Sequence, residues 1–376
     1  MKFIHLSDLH LGKRVNEFSM LEDQAYILGE ILKAVRRLEP DAVLIAGDIY
    51  DKSVPSAEAV RLFDEFLSSL YAIQPKKPEL FILSGNHDSA ERIAFGSALM
   101  REGGVHLSPV YDGVVEPITL TDQYGPVNIY MLPFVKPVHV RRYYPDEGIE
   151  SYNDAIRVAV EQMHVDPARR NLLMTHQFVT GSQRCDSEEL SVGGTDNVDA
   201  SNFAGFDYVA LGHIHGPQNA AGPCVRYCGS PLKYSFSEAN HKKSLTVVDF
   251  GPKGEVSVTT EPLVPLRDMR ELRGTFEELS ALPRTEDYIH ITLTDEEDVP
   301  NVMAKLRIPF PNLMKLDYDN RRTRRTNRVE GITEDRQQDP FTVFSVFYET
   351  MNNQPMTAEQ EALIRGLIEE IWEETT

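Results

Sequence analysis

Five short clusters of metal-capable side chains punctuate the first 215 residues of the chain. They are Asp8-Leu9-His10, Gly47-Asp48-Ile49-Tyr50-Asp51, Gly85-Asn86-His87-Asp88, the single His176, and Gly212-His213-Ile214-His215. Together they offer carboxylate, amide oxygen and imidazole, and no thiolate. Such donors suit hard or borderline divalent ions such as Mn²⁺, Mg²⁺, Fe²⁺ or Zn²⁺. The candidates outnumber what one ion needs. Two ions about 3.5–4 Å apart, bridged by one carboxylate, would use them well. A pair of that kind lowers the pKa of a water between the ions and clamps phosphate oxygens during in-line attack, which points to hydrolysis of a phosphoester. Taken singly, each cluster has an ordinary explanation. Gly-Asp marks turns, Gly-Asn-His-Asp is a polar loop, and a lone strand-end histidine is usually a satisfied core residue. Their order and common placement exceed what turns and packing require.

The elements that would position them are short apolar runs. Strands are expected at Phe3 to Leu6, Asp41 to Gly47, Glu79 to Ser84, Val127 to Leu132, Asn171 to Thr175, Asp207 to Leu211, Val225 to Tyr227 and Ser244 to Phe250. Each cluster follows one of these runs. Between them, Gln24 to Leu38 carries apolar residues at helical spacing (Tyr26, Ile27, Ile31, Leu32, Val35). A second helix opens at Pro55-Ser56, with Ser56 as N-cap and Val60, Phe63, Leu67 and Leu70 as its apolar face. Alternating strands and helices predict an α/β layered domain. The ends of parallel strands converge on one edge, so distant positions can form one site.

The pattern changes after residue 265. Helix-like segments (Phe276 to Leu282; Pro300 to Lys305, with Pro300 suited to a first helical position) alternate with strand-like ones (Tyr288 to Leu293; Leu313 to Tyr318). Arginines cluster from Arg321 to Arg328, and a polar linker runs on to Asp339. Two amphipathic helices, Phe341 to Met351 and Ala358 to Trp372, close the chain, with Leu363, Ile364, Leu367, Ile368, Ile371 and Trp372 in one stripe of the second. The division expected is 1–265, 266–335 and 336–376.

Among 376 residues, 58 Asp and Glu against 38 Lys and Arg give a formal charge of −20. That excludes a polybasic protein holding nucleic acid by bulk charge. No apolar run approaches membrane-spanning length, and the start does not read as a signal peptide. Three cysteines, Cys185, Cys224 and Cys228, suit a reducing cytoplasm rather than a disulfide framework. Cys224 and Cys228 read as strand thiols, since no second pair exists to complete a metal site.

The set Asp-x-His, Gly-Asp-x-x-Asp, Gly-Asn-His-Asp, His and Gly-His-x-His resembles the calcineurin-like metallophosphoesterase superfamily. Thr175-His-Gln-Phe-Val179, Ser191-Val-Gly-Gly194, Asp196-Asn-Val-Asp199 and Gly229-Ser-Pro-Leu232 resemble its nuclease branch, the SbcD-type subunits. The resemblance implies a layered β-sandwich flanked by helices, a small α/β capping domain over the site, and C-terminal helices docking on an SbcC-type ATPase. It implies Asp8, His10 and His215 as ligands of one ion, Asn86, His176 and His213 as ligands of the other, and Asp48 as the bridge. The ions expected are Mn²⁺, with Mg²⁺ as the substitute. His87 would contact the scissile phosphate and protonate the leaving oxygen, with Asp88 orienting or charging it. Asp51 stands where some relatives carry histidine, and His5 reads as a packing residue.

The implied activity is cleavage of DNA: double-strand exonuclease driven by the partner's ATP, single-strand endonuclease, and processing of hairpins and blocked ends in repair, recombination and replication. A homodimer within a heterotetramer is implied. The chain has no Gly-x-x-x-x-Gly-Lys-Ser/Thr loop of its own. Two other classes stay open. A phosphoesterase of small phosphodiesters or nucleotides would turn over a chromogenic diester and leave DNA intact. A non-catalytic scaffold would bind no metal, and the complete donor set speaks against it.

Overall fold

A computed structural model describes residues 1–188 and 196–320, with 341, 344–345, 348, 356–357, 360–365 and 367 of the tail. It divides into two compact units, Met1–Thr292 with Asn301–Asp317, and Leu293–Pro300 with Tyr318–Thr376. All five clusters lie in the first unit.

Two six-stranded sheets build that unit. One runs, in spatial order, Val256–Pro262, Ser244–Phe250, Lys2–Leu6, Ala42–Ala46, Glu79–Leu83 and Val105–Ser108. The other runs Gln218–Asn219, Val225–Tyr227, Tyr208–Gly212, Arg170–His176, Gly125–Leu132 and Ile118–Asp122. The central strands are parallel; antiparallel strands close both edges of the second sheet and one edge of the first, whose other edge, Val105–Ser108, is parallel to its neighbour.

Alternation of side chains along the central strands explains why they are apolar throughout. Phe3, Leu44, Phe81, Leu172, Met174 and Ala210 point into the core between the sheets. Their neighbours Ile4, Val43, Ile45 and Ile82 face the Leu21–Leu38 and Ala57–Tyr71 helices. On the other sheet, Leu173, Val209 and Leu211 face the Tyr152–Glu161 helix. The result is the layered β-sandwich flanked by helices that the resemblance implies. A three-stranded sheet of Met269–Gly274, Tyr288–Leu293 and Leu313–Tyr318 follows.

Local differences have simple causes. Ser56 caps its helix by accepting the Ala59 amide, but the buried face is Ala59, Phe63, Phe66 and Leu70, and Val60 is 44% exposed. Val60 sits one position, about 100° of helix turn, past Ala59. The later helix runs Val302–Leu306, so Pro300 is not its first residue. The Val256–Pro262 and Ile118–Asp122 strands escape the apolar-run criterion because they are half-exposed edges rich in Thr, Ser and charge. All three cysteines are free thiols; Cys228 is buried, Cys185 and Cys224 half-buried. Among the described residues no helix is long and apolar enough to cross a membrane. The Arg321–Arg328 cluster, the linker to Asp339, residues 191–194, and Ile368, Ile371 and Trp372 lie outside the described residues. Of the tail stripe, Leu363 and Leu367 are exposed and Ile364 half-buried.

Candidate metal centre

The strands Lys2–Leu6, Ala42–Ala46, Glu79–Leu83, Arg170–His176 and Tyr208–Gly212 end at the same edge of the sandwich, and their following residues meet there. The backbone leaves these strands through unusual conformations. Asp8 (φ 54°), His10 (φ 44°), Asp48 (φ 51°) and His213 (φ 104°) all have positive φ, which non-glycine residues seldom adopt. Strain of this kind collects where side chains must be aimed. Backbone bonds hold the turns: Asp8 N donates to the Gly47 carbonyl and His10 N to the Asp48 carbonyl, each at 3.0 Å.

Two groups of donors result. In the first, His10 Nε2 and His215 Nε2 lie 3.0 Å apart, and one oxygen of Asp8 completes a cluster with all ligand atoms within 4.8 Å of one another. In the second, Asn86 Oδ1 lies 3.1 Å from His176 Nε2 and 2.9 Å from His213 Nδ1. Asp48 Oδ2 stands between them, 3.6 Å from His10 Nε2 and 3.3 Å from His176 Nε2. Asp8, His10, Asp48, His176, His213 and His215 are all buried.

Electrostatics favour a cation here. Burial holds His10 and His215 below the ordinary imidazole range, and burial with the charge of His176 takes His213 to about 3. These rings are neutral and keep a lone pair for a ligand. Burial opposes ionisation of Asp48, but the adjacent His176 overrides it and keeps the carboxylate charged. Burial likewise works against the charge on His176, yet Asp48 lifts it to about 9. Burial raises Asp8 to about 7, opposed by His176 and helped by the charge of Asp48. Two buried acids of like sign are costly unless cations compensate them. The buried His10 Nδ1 lacks a hydrogen-bond partner. Carboxylates, an amide oxygen and imidazoles in two adjoining groups fit a pair of divalent ions; His10, His213 and His215 are already neutral, and His176 would release its proton on binding.

Residues 1–217 match the calcineurin-like phosphoesterase family. Over 378 residues, 98% of each chain, the sequence is 34% identical to the SbcD subunit of nuclease SbcCD from Staphylococcus epidermidis. The chain belongs to the SbcD family of calcineurin-like phosphoesterases.

A second SbcD relative, from the nuclease SbcCD of Staphylococcus saprophyticus subsp. saprophyticus, is 31% identical over 100% of this chain and 99% of its own. Residues 265–352 match the family described as type 5 capsule protein repressor C-terminal domain. A solved dimetal phosphatase from Danio rerio overlaps 70% of this chain and 96% of its own at a TM-score of 0.42 and 12% identity, too distant to carry an argument.

The other residues singled out in the sequence have definite places. His87 is half-buried beside the first group, its ring centroid 4.8 Å from that of His10. Its backbone N–H donates to Asp48 Oδ1 at 3.0 Å, and its Nδ1 donates to the Asp51 carbonyl at 3.0 Å. Asp88 is hydrogen-bonded to backbone instead of to the His87 ring. It accepts the amides of Ile49 (3.1 Å), Tyr50 (3.0 Å) and Gly85 (2.9 Å), fastening the Asp48 loop to the His87 loop. Asp51 accepts Lys13 Nζ at 2.8 Å, with His10 Nδ1 3.7 Å away. His5 lies apart from the site, its Nδ1 3.0 Å from the Tyr208 hydroxyl.

Several contributors were missed by sequence reasoning. A Cβ on Gly85 would lie 2.1 Å from Asp48 Oδ1, and one on Gly212 1.9 Å from the Ala46 carbonyl, so the two carboxyl-end loops close only around hydrogen atoms. Both glycines belong to quoted motifs, and their place just before the ligands was the available signal. Ser187, Glu188, Glu238 and Lys243 surround His215, with no motif spacing to mark them.

Proposed function

We propose that this chain is the DNA-cleaving, metal-dependent nuclease subunit of a complex with an SbcC-type ATPase. The observation carrying the reading is Asp48, whose Oδ2 stands between His10 and His176 at the junction of two donor groups, in a chain of the SbcD family.

Asp8, His10 and His215 would hold one ion, and Asn86, His176 and His213 the other, with Asp48 shared. The ions, Mn²⁺ with Mg²⁺ as the substitute, would supply a water of lowered pKa and positive charge facing the phosphate. The residues do the rest. His176 Nδ1 donates to the Ala46 carbonyl at 2.8 Å, which aims Nε2 at Asp48. His87, tied through its amide and Nδ1, would in its doubly protonated form give the Nε2 proton to the departing 3′-oxygen of DNA. Asp88 serves catalysis by locking the two loops that carry Asp48 and His87.

The domain assignment that accompanies this reading is 1–265 nuclease, 266–335 capping domain and linker, and 336–376 partner-docking helices. The working assembly is a homodimer within a heterotetramer, acting in the cytoplasm on double-strand ends, hairpins and single strands during repair, recombination and replication. ATP belongs to the partner. The deciding experiment is digestion of hairpin DNA with Mn²⁺, with and without the ATPase and ATP. Hairpin opening stimulated by partner and ATP supports the reading. Turnover of a chromogenic diester with DNA left intact would replace it with small-phosphodiester hydrolysis.

A further inference from the structure

We infer that Ser187, Glu238 and Lys243 form a buried relay that fixes the tautomer and aim of the His215 imidazole. The inference rests on reading the site as a metal centre. Glu238 is completely buried and Lys243 nearly so. Lys243 Nζ donates to Glu238 Oε2 at 2.5 Å, to Ser230 Oγ at 2.8 Å and to the His215 carbonyl at 2.8 Å. An ammonium has three N–H groups, so all are used. Glu238 is accordingly a carboxylate that only accepts. Its Oε1 takes the Tyr234 amide at 3.1 Å and the Ser187 hydroxyl at 2.6 Å.

The direction of the next bond follows. A hydroxyl has one proton, and a buried carboxylate is the strongest acceptor within reach of Ser187. Ser187 Oγ therefore accepts from His215 Nδ1, 2.7 Å away. With the proton on Nδ1, Nε2 is bare, and Nε2 is the atom 3.0 Å from His10 Nε2. The main chain is tied as well: Glu188 Oε1 accepts the His215 amide at 2.7 Å. Side chain and carbonyl of this one residue are thus linked to the Glu238–Lys243 ion pair, and its amide to the buried Glu188 carboxyl. By contrast, His176 orients its ring through a backbone carbonyl. A buried ion pair is seldom more stabilising than well-packed apolar residues. Its presence beside His215 is explained by orientation of the ligand, the role that carboxylate–histidine chains play around metals.

The test uses the full chain. Ser187→Ala should weaken Mn²⁺ binding measured by calorimetry about 10–100-fold. Long-range ¹H–¹⁵N spectra of the metal-free protein should show His215 protonated on Nδ1 in the wild type and as a tautomer mixture in Ser187→Ala. Ser187→Thr, which restores the hydroxyl, should recover both. Glu238→Gln should match Ser187→Ala, and the double variant should be no worse than either, because one chain is broken twice. If Glu238→Gln fails to fold, the Ser187 pair still decides. Wild-type affinity together with an unchanged Nδ1–H in Ser187→Ala would overturn the relay alone. Absence of Mn²⁺ binding in the wild type would overturn the metal centre beneath it.

Discussion

Replacing Gly212 with alanine would set a methyl group 1.9 Å from the Ala46 carbonyl oxygen and 2.6 Å from His176 Nδ1. Real Cβ contacts stop near 3.0 Å, so relief takes a shift of about 1.1 Å, the difference between 3.0 and 1.9 Å. Ala46 ends a wholly buried strand and has little room to yield. His176 must move too, and its 2.8 Å bond to that same carbonyl lies in the path. Gly212 does not have positive φ, so the penalty is steric and not conformational. Overpacking of this order costs about 1–3 kcal/mol, and misplacing a positioned group by about 1 Å costs on the order of 100-fold in activity. Gly212→Ala should therefore lose about 1–3 kcal/mol in urea unfolding with EDTA present, and should bind Mn²⁺ about 10–100-fold more weakly by calorimetry. Gly29→Ala is the control. It sits inside the Leu21–Leu38 helix with nothing within 4 Å of an added Cβ, and should stabilise by about 0.5–1 kcal/mol without touching metal affinity. A Gly212→Ala protein with wild-type stability and wild-type Mn²⁺ affinity would refute the close-approach reasoning.

His87→Ala should keep most of its Mn²⁺ binding yet lose DNA cleavage, whereas Asp48→Ala should lose both; calorimetry beside a cleavage assay separates them. Deleting 340–376 should abolish co-purification with the ATPase and leave Mn²⁺ binding intact. For His5, burial, with Arg226 adding to it, lowers the pKa from 6.5 to about 3. The unfolded chain therefore binds the extra proton first, so His5 favours folding fully above pH 6.5 and progressively less as pH falls toward 3. In EDTA, the loss of stability between pH 7.5 and 5 should be smaller in His5→Gln than in wild type, and an equal loss in both would contradict it.

The seven proposed ligands were legible because each follows an apolar run, and a strand buried on both faces has to be continuous in sequence. Phe3 and Ile4, or Leu172 and Leu173, serve two different cores from adjacent positions. Edges escaped the same criterion, since Val256–Pro262 buries little and carries no run to see. Asp88 shows a different limit. Its neighbour in sequence is His87, but besides the Gly85 amide its oxygens accept amides 38 and 39 residues away, which only the fold brings near. Glu238 and Lys243 were invisible for the same reason: a five-residue separation in an irregular segment carries no periodicity.

The positive φ values of Asp8, His10, Asp48 and His213 have an evolutionary consequence. Each strained residue costs about 1–3 kcal/mol that glycine would largely recover. A laboratory library ranked only by melting temperature would thus be drawn toward variants such as His213→Gly, which relax the backbone while discarding the donor. Robustness and chemistry pull in opposite directions at these four positions. Any campaign to harden this protein should freeze them first and search for stability elsewhere.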